Sequence, residues 1–204
     1  ILNGVAPEQL PIWDYVDINS NSEYYDQLIG PNTFNGNVSL YSFGKAGWST
    51  CRHRFGVLND LYIELQDEGY TEVNIIGING FQYLDNDYHC MICDTPETCS
   101  SCDEERVLPW VQDLDDDDND EIWDDYGADG IPDTGDLGEG DGVPDESYGD
   151  VWESWEISLR DLVVLDRDGN YITRLNLTGF NPDPTALGEC TGNYEAIKQL
   201  IINL

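Results

Sequence analysis

Apolar positions in the first half of the chain predict a strand, a helix and a second strand. Residues 37–43 alternate apolar and polar side chains and are rich in residues that favour strands. Residues 51–68 carry apolar side chains at helical spacing, on the face formed by Phe55, Leu58, Tyr62 and Leu65. Residues 72–77 form a continuous apolar run, which is typical of a strand buried on both faces of a parallel sheet. Together these segments predict a right-handed βαβ unit.

The C-terminal part of the chain predicts a β-hairpin followed by a closing helix. Two strand-like segments, 158–165 and 171–177, flank a turn that contains Gly169. Residues 193–204 have the apolar spacing of an amphipathic helix. We therefore expect an α/β domain over residues 37–204, in the order βαβ, insertion, ββα. Residues 1–36 are rich in Pro, Asn and Gly and predict an irregular arm laid over the core.

Composition limits the classes of partner. The 204 residues are 40% hydrophobic and 11% aromatic, enough for one buried core. There are 42 acidic and 8 basic residues, and the net charge is -34. That charge excludes nucleic acid as the main ligand and favours cations.

The ends of the chain and its cysteines indicate an extracytoplasmic protein. No run of 18 or more apolar residues predicts a membrane span, and Ile1 follows no initiator Met, so we expect a processed, secreted or cell-surface chain. Six cysteines suit an oxidising exterior. Cys90, Cys93, Cys99 and Cys102 form two CxxC pairs, which in a cytosolic protein would predict a zinc site. Outside the cytosol they predict two local disulfides in a loop over residues 84–107, with the pairing left open.

An acidic insertion over residues 113–150 predicts calcium binding. It has 17 acidic residues among 38 and none that is basic. A solvated charge run is the simpler interpretation, but the pattern of residues 128–133 returns at 140–145, with glycines that permit tight turns between carboxylates. Such loops supply the oxygen ligands that calcium requires. The candidate ligands are Asp115, Asp117, Asn119, Asp125, Asp129, Asp133, Asp136, Glu139, Asp141 and Asp145.

Three segments resemble the thioredoxin-like superfamily, and within it the amino-terminal domain of selenoprotein P and its bacterial relatives. Residues 47–70 look like that group's redox loop and first helix, residues 108–111 like its cis-proline segment, and residues 150–175 like its terminal hairpin. The resemblance implies a thioredoxin-like fold in which Pro109 is the cis-proline. A plain turn proline is the alternative.

The resemblance also shows what the redox loop has lost. The family's two active residues are separated by two others at the start of the first helix, and here Trp48 falls on the first position and Cys51 on the second. Because thiol exchange needs an exposed attacking thiolate, this site is expected to be inactive in exchange. We expect Cys51 to be buried and to pair with Cys190. Two separate buried thiols are the alternative.

The two histidines of the chain are candidate metal ligands. The expected fold brings His53, in the first turn of the helix, and His89, after the next strand, to one rim. Neutral imidazoles suit copper(I), and the composition resembles the secreted or surface copper-binding proteins of methanotrophic bacteria. That resemblance implies His53 and His89 as ligands with a tryptophan oxidised to kynurenine, Trp48 first and Trp110 second. Two unrelated surface histidines are the alternative.

The sequence therefore predicts a secreted or cell-surface copper(I)-binding protein for copper acquisition or storage, with structural calcium and without an enzymatic role. An extracellular thiol or peroxide oxidoreductase is the alternative that the fold alone suggests. A third alternative is a calcium-dependent module that binds a cell-surface partner protein.

Overall fold

The computed structural model describes residues 10–83, 86–94, 99, 102, 104–113, 151–185 and 193–204. In chain order the strands are β1 (Tyr15–Val16), β2 (Leu28–Ile29), β3 (Val38–Gly44), β4 (Val73–Asn79), β5 (Trp110–Gln112), β6 (Asp161–Leu165) and β7 (Tyr171–Asn176). The helices are α1 (Ser49–Asp67), α2 (His89–Ile92), α3 (Val151–Ser154) and α4 (Asn193–Ile202), with 3-10 turns at Pro31–Phe34 and Phe81–Tyr83.

A five-stranded mixed sheet in the order β5-β4-β3-β6-β7 forms the centre of the molecule. β3 and β4 are parallel and joined by α1, which confirms the predicted βαβ unit. β6 pairs antiparallel with the other side of β3, and β7 completes the predicted hairpin. β3 and β4 are buried along their whole length because helices cover one face of the sheet and aromatic side chains cover the other. The predicted closing helix is α4.

The second face of the sheet is covered by aromatic side chains from distant parts of the chain. Trp13 packs edge-on against Tyr41 and Trp155, and Trp155 packs against Phe43. The arm is less irregular than expected, since β1 and β2 pair as a two-stranded antiparallel sheet. Its aromatic residues Trp13, Tyr15 and Phe34 are part of the core, whereas Tyr25 is exposed.

The peptide bond before Pro109 is trans, because the described residues contain no cis peptide bond, so the expected cis-proline is wrong. The surrounding segment is held in an extended path by the arm. Asn19 donates from its amide to the carbonyls of Arg106 (2.8 Å) and Leu108 (2.7 Å), and Asp17 accepts from the backbone N–H of Trp110 (2.9 Å). These hydrogen bonds lead the chain directly into β5, an edge strand that the sequence did not predict.

One buried carboxylate joins the two ends of the acidic insertion. Asp113 Oδ1 accepts from the backbone N–H of Val151 (3.0 Å) and from the hydroxyl of Tyr15 (2.6 Å), and Asp113 Oδ2 accepts from the N–H of Trp152 (3.2 Å). The residues that flank the insertion are therefore adjacent in space. The predicted calcium ligands Asp115 to Asp145 lie outside the described residues.

Candidate functional site

The candidate site lies where the carboxyl ends of β3 and β4 meet the start of α1. Trp48 has an extended backbone immediately before the helix, and its side chain is 46% exposed. Cys51 lies in the first helical turn and is only 4% exposed. The two positions that the redox motif would occupy thus differ in access, and the exposed one carries no sulfur.

Cys51 is a free thiol in an apolar environment, so the structure lacks the expected disulfide with Cys190, which lies outside the described residues. Close approach to Gly44 explains the burial. A Cβ atom at Gly44 would lie 3.3 Å from Cη2 of Trp110, 3.7 Å from Cε of Met91 and 3.8 Å from Cβ of Cys51. Cys51 therefore packs as a small apolar side chain.

Asn79, at the end of β4, organises this edge of the sheet. Its Oδ1 accepts from the N–H of Ala46 (3.0 Å), and its Nδ2 donates to the carbonyl of Tyr83 (3.0 Å) and to Oε1 of Gln112 (2.6 Å). It is 1% exposed and thus satisfies three neighbouring segments from inside the core. No motif pointed to this residue, because its partners come from three separate segments, after β3, after β4 and at the end of β5.

His53 lies on the exposed side of α1 and contacts a carboxylate from the far end of the chain. Its Nε2 is 2.7 Å from Oδ2 of Asp183, which follows β7. The hydroxyl of Thr185 and the imidazole of His53 both bond to Asp183 and together lower the pKa of its carboxyl to about 2. The Asp183 carboxylate is therefore ionised throughout the neutral range.

His89 is the first residue of α2 and contacts a carboxylate that follows the same helix. Its Nδ1 is 2.7 Å from Oδ2 of Asp94. Two disulfides, Cys90–Cys99 and Cys93–Cys102, hold this segment. They confirm the expectation of two local disulfides and supply the pairing that the spacing left open. One bond joins the first cysteines of the two CxxC pairs, and the other joins the second cysteines.

The structure places the two histidines on helices that contact each other, but it gives each ring its own aspartate. No group of three His, Cys, Asp or Glu side chains among the described residues is arranged to hold a metal ion. Trp48 stands at the exposed rim. Trp110, the second candidate for modification, is 1% exposed and packs against Phe55 in the core.

A polar cavity of about 380 Å³ opens beside His53, and no sequence motif indicated it. Arg106 lies at its wall, 6% exposed, and donates from Nη1 to the carbonyl of Met91 (2.5 Å). Burial lowers the pKa of its guanidinium to about 10, although the nearby Asp60 carboxylate acts in the opposite direction. The guanidinium joins the disulfide-held segment to α1.

Solved structures share this architecture. The thioredoxin domain of a thiol-disulfide oxidoreductase from Bacteroides vulgatus aligns with a TM-score of 0.52 at 15% identity, over 98% of this chain and 99% of that one. The chain has a thioredoxin-like fold. A SCO1/SenC family lipoprotein from Bacillus anthracis aligns with a TM-score of 0.53 at 11% identity, over 100% and 99% of the two chains. Arabidopsis thaliana ScoI, solved with copper bound, aligns with a TM-score of 0.52 at 8% identity, over 97% and 100%.

No protein-family model and no curated protein matches the sequence, so the likeness establishes the fold alone. Within the part of the chain that the structure describes, no helix has both the length and the apolar character needed to cross a membrane.

Proposed function

We propose that this protein binds copper(I) outside the cytoplasm, for acquisition or storage, on a thioredoxin-like scaffold that no longer exchanges thiols. The Sco proteins among its structural neighbours, one of them solved with copper bound, support a metal role for this fold. The same proposal includes the more specific resemblance to the copper-binding proteins of methanotrophic bacteria.

The bonding of the two imidazoles is the observation that carries the proposal. His53 uses Nε2 for Asp183 and His89 uses Nδ1 for Asp94, and the other nitrogen of each ring has no hydrogen-bond partner among the described residues. Histidines that ligate metals usually bind a carboxylate through the nitrogen that does not face the metal, because this fixes the tautomer and raises the basicity of the ligating nitrogen. In this proposal, His53 Nδ1 and His89 Nε2 are the copper ligands.

Trp48 is the proposed third element of the site, modified to kynurenine in the native source. It is exposed at the rim that also carries His53, so an oxidant can reach its indole. The peptide that contains Trp48, released from natively purified protein and weighed by mass spectrometry, should show the tryptophan-to-kynurenine mass change. An unmodified peptide would remove Trp48 from the site and leave the two histidines.

The oxidoreductase alternative has equal support among the neighbours, which include thiol-disulfide interchange proteins from Chlorobium tepidum and a Bacteroides species. The site favours copper instead. Exchange needs an exposed thiolate to attack and a second sulfur to resolve the mixed disulfide, whereas Cys51 is buried and Trp48 occupies the outer position. We therefore expect no insulin reduction by the purified protein.

Anaerobic titration of the full chain with copper(I) against a chromophoric chelator tests the copper proposal. We expect one copper per chain, lost in His53→Ala and in His89→Ala and retained in Cys51→Ala. Asp183→Asn and Asp94→Asn should each weaken binding by about 10- to 100-fold, because these carboxylates orient the imidazoles. Asp67→Asn, at the exposed end of α1, is the matched control and should bind like the native chain.

Retention of copper in the double histidine variant would overturn the ligand assignment, and absence of copper from every preparation would overturn the function. Insulin reduction that disappears in Cys51→Ser would establish the oxidoreductase in its place.

We further propose that the insertion binds calcium through the carboxylates of its repeat, Asp129, Asp133, Asp141 and Asp145. Seventeen carboxylates in one segment repel each other unless a cation neutralises them. Isothermal titration should detect calcium binding that weakens when these four residues become Asn. Unchanged binding would assign calcium to other residues. The interaction-module alternative predicts that calcium chelation abolishes binding of a cell-surface partner and that replacing both histidines leaves this binding unchanged. These two results together would favour that alternative.

A further inference from the structure

Three of the eight basic residues meet around Trp48, and we call Lys45, Arg52 and Arg160 the basic rim. Nζ of Lys45 lies 5.0 Å from the centroid of the Trp48 ring, and Cζ of Arg160 lies 6.0 Å from the same ring. Arg52 donates from Nη2 to the carbonyl of Gly47 (2.7 Å), next to Trp48. Three positive charges from three separate segments are thus gathered around one tryptophan in a chain whose net charge is -34.

The basic rim has no carboxylate to neutralise it within the described part of the chain. Arg167, Arg174 and Lys198 each form an ion pair with a glutamate or aspartate, whereas Lys45, Arg52 and Arg160 form none. Among the described residues, Lys45, Arg52 and Arg160 thus place three positive charges beside Trp48 without a carboxylate partner.

The backbone of Arg160 is held in a conformation that arginine seldom adopts. Its φ of 72° lies in the left-handed region, which favours glycine. The conformation is fixed from both sides, because the N–H of Arg160 donates to the carbonyl of Phe43 (2.9 Å) and its carbonyl accepts from Leu177 (2.8 Å). Strain of this kind persists where the surrounding structure imposes it, and it concentrates at functional sites. Here it accompanies a guanidinium over the exposed face of Trp48.

The aromatic side chains beside the basic rim have the composition of a protein-binding surface. Trp48 is 46% exposed, and Lys45 also lies 4.5 Å from the ring centroid of Tyr83. Trp, Tyr and Arg are the residues that contribute most binding energy at protein interfaces. The surface therefore offers apolar area together with unpaired positive charge.

We propose that the basic rim docks a partner protein through a short segment that combines carboxylates with an apolar side chain. The acidic remainder of the chain repels an extended polyanion such as nucleic acid or an anionic membrane. A short acidic segment is attracted by the basic rim, because charges interact mainly within a Debye length of about 10 Å. The apolar side chain packs on Trp48 while the carboxylates pair with the unpaired cations. This inference does not rest on copper binding.

Fluorescence anisotropy with a labelled octapeptide of alternating glutamate and leucine tests the proposal on the full chain. We expect saturable binding that weakens with added salt, and no binding of the peptide in which glutamine replaces glutamate. Lys45→Glu and Arg160→Glu should each lower affinity by about tenfold or more, because a charge reversal replaces attraction with repulsion at the contact. Arg167→Glu changes the net charge equally in the turn between β6 and β7 and should bind like the native chain.

Arg160→Asn, which tolerates the left-handed backbone, guards against a folding defect in Arg160→Glu and should also weaken binding. Equal loss in Arg167→Glu would overturn the proposal, since it would show an effect of total charge. Equal binding of the glutamine peptide, or salt-sensitive self-association of the chain through the same three residues, would also overturn it. Each variant is also titrated with copper, so that a loss of peptide binding can be distinguished from a loss of copper binding.

Discussion

Gly77 shows at the scale of one residue how the core closes around Trp110. A Cβ atom at this position would lie 2.2 Å from Cε3 of Trp110 and 2.6 Å from Cε2 of Phe55, closer than packed atoms approach. We expect Gly77→Ala to lower the free energy of unfolding by about 3 kcal/mol, the upper end of the cost of overpacking. Urea denaturation measures this loss. Gly179→Ala, where an added Cβ meets nothing within 4 Å, is the control and should change stability by less than about 0.5 kcal/mol.

Two substitutions of Cys51 test whether its buried thiol behaves as an apolar side chain. Because Cys51 lies in the same buried apolar cluster as Met91 and Trp110 and its thiol has no hydrogen bond among the described residues, Cys51→Ala should cost less stability than Cys51→Ser. The buried hydroxyl of serine would add about 1–3 kcal/mol when it finds no partner. Denaturation of both variants gives the order. The opposite order would mean that the thiol has a polar partner, as an active-site cysteine would.

The sequence indicated the candidate residues better than their partners. The place of Cys51 in the first helical turn and of Trp48 before it followed from the helical spacing, and the structure agrees. Asp94 is only five positions from His89 and was within reach of local reasoning. Asp183 is 130 positions from His53, and only the tertiary fold brings it there.

At the scale of elements, Lys198 joins α4 to α1 through two carboxylates. Its Nζ lies 2.6 Å from Oε1 of Glu64 and 2.7 Å from Oε1 of Glu68. We expect Lys198→Met to lower the free energy of unfolding by about 1 kcal/mol at neutral pH, a modest loss because both carboxylates are partly exposed to solvent. Gln199→Met, which introduces the same side chain at an exposed position of the same helix, is the control and should have no measurable effect.

The pH dependence of this loss has a definite sign. Hydrogen bonds from Lys198 and from the hydroxyl of Tyr194 lower the pKa of Glu64 below its ordinary 4.5. A lowered folded-state pKa contributes stability that is present above the ordinary pKa and lost as the pH falls through the folded-state value. The difference between native chain and Lys198→Met should therefore be constant near neutrality and shrink on acidification below 4.5. A difference that grows in acid would contradict the ion-pair assignment.

Element length determined which parts of the fold the sequence predicted. α1, β4 and the β6–β7 hairpin have enough residues for a hydrophobic period to repeat, and their ends agree within a few positions. β5, α2 and α3 have three or four residues each, too few for a period. These short elements exist because long-range hydrogen bonds and disulfides hold them, and those partners are not visible in the local sequence.

At the scale of the whole molecule, the acidic insertion leaves and returns at one point. Because Asp113 bonds to the N–H groups of Val151 and Trp152, a short Gly-Ser linker can replace residues 114–150 without moving either end. We expect this deletion to keep the circular dichroism spectrum of the fold and to abolish the proposed calcium binding. Its melting temperature, compared with that of the native chain in chelator, measures how much the core depends on the insertion. Loss of folding would show that the insertion is part of the core.

The two disulfides have a consequence for the compartment in which the protein works. Both lie wholly between Cys90 and Cys102, and each joins cysteines nine positions apart, so each restricts only a short stretch of chain. None of the strand pairings of the central sheet depends on them. A reducing environment would therefore free the segment that follows His89 while the sheet stays folded, and the proposed copper site would lose the support of one of its two ligands.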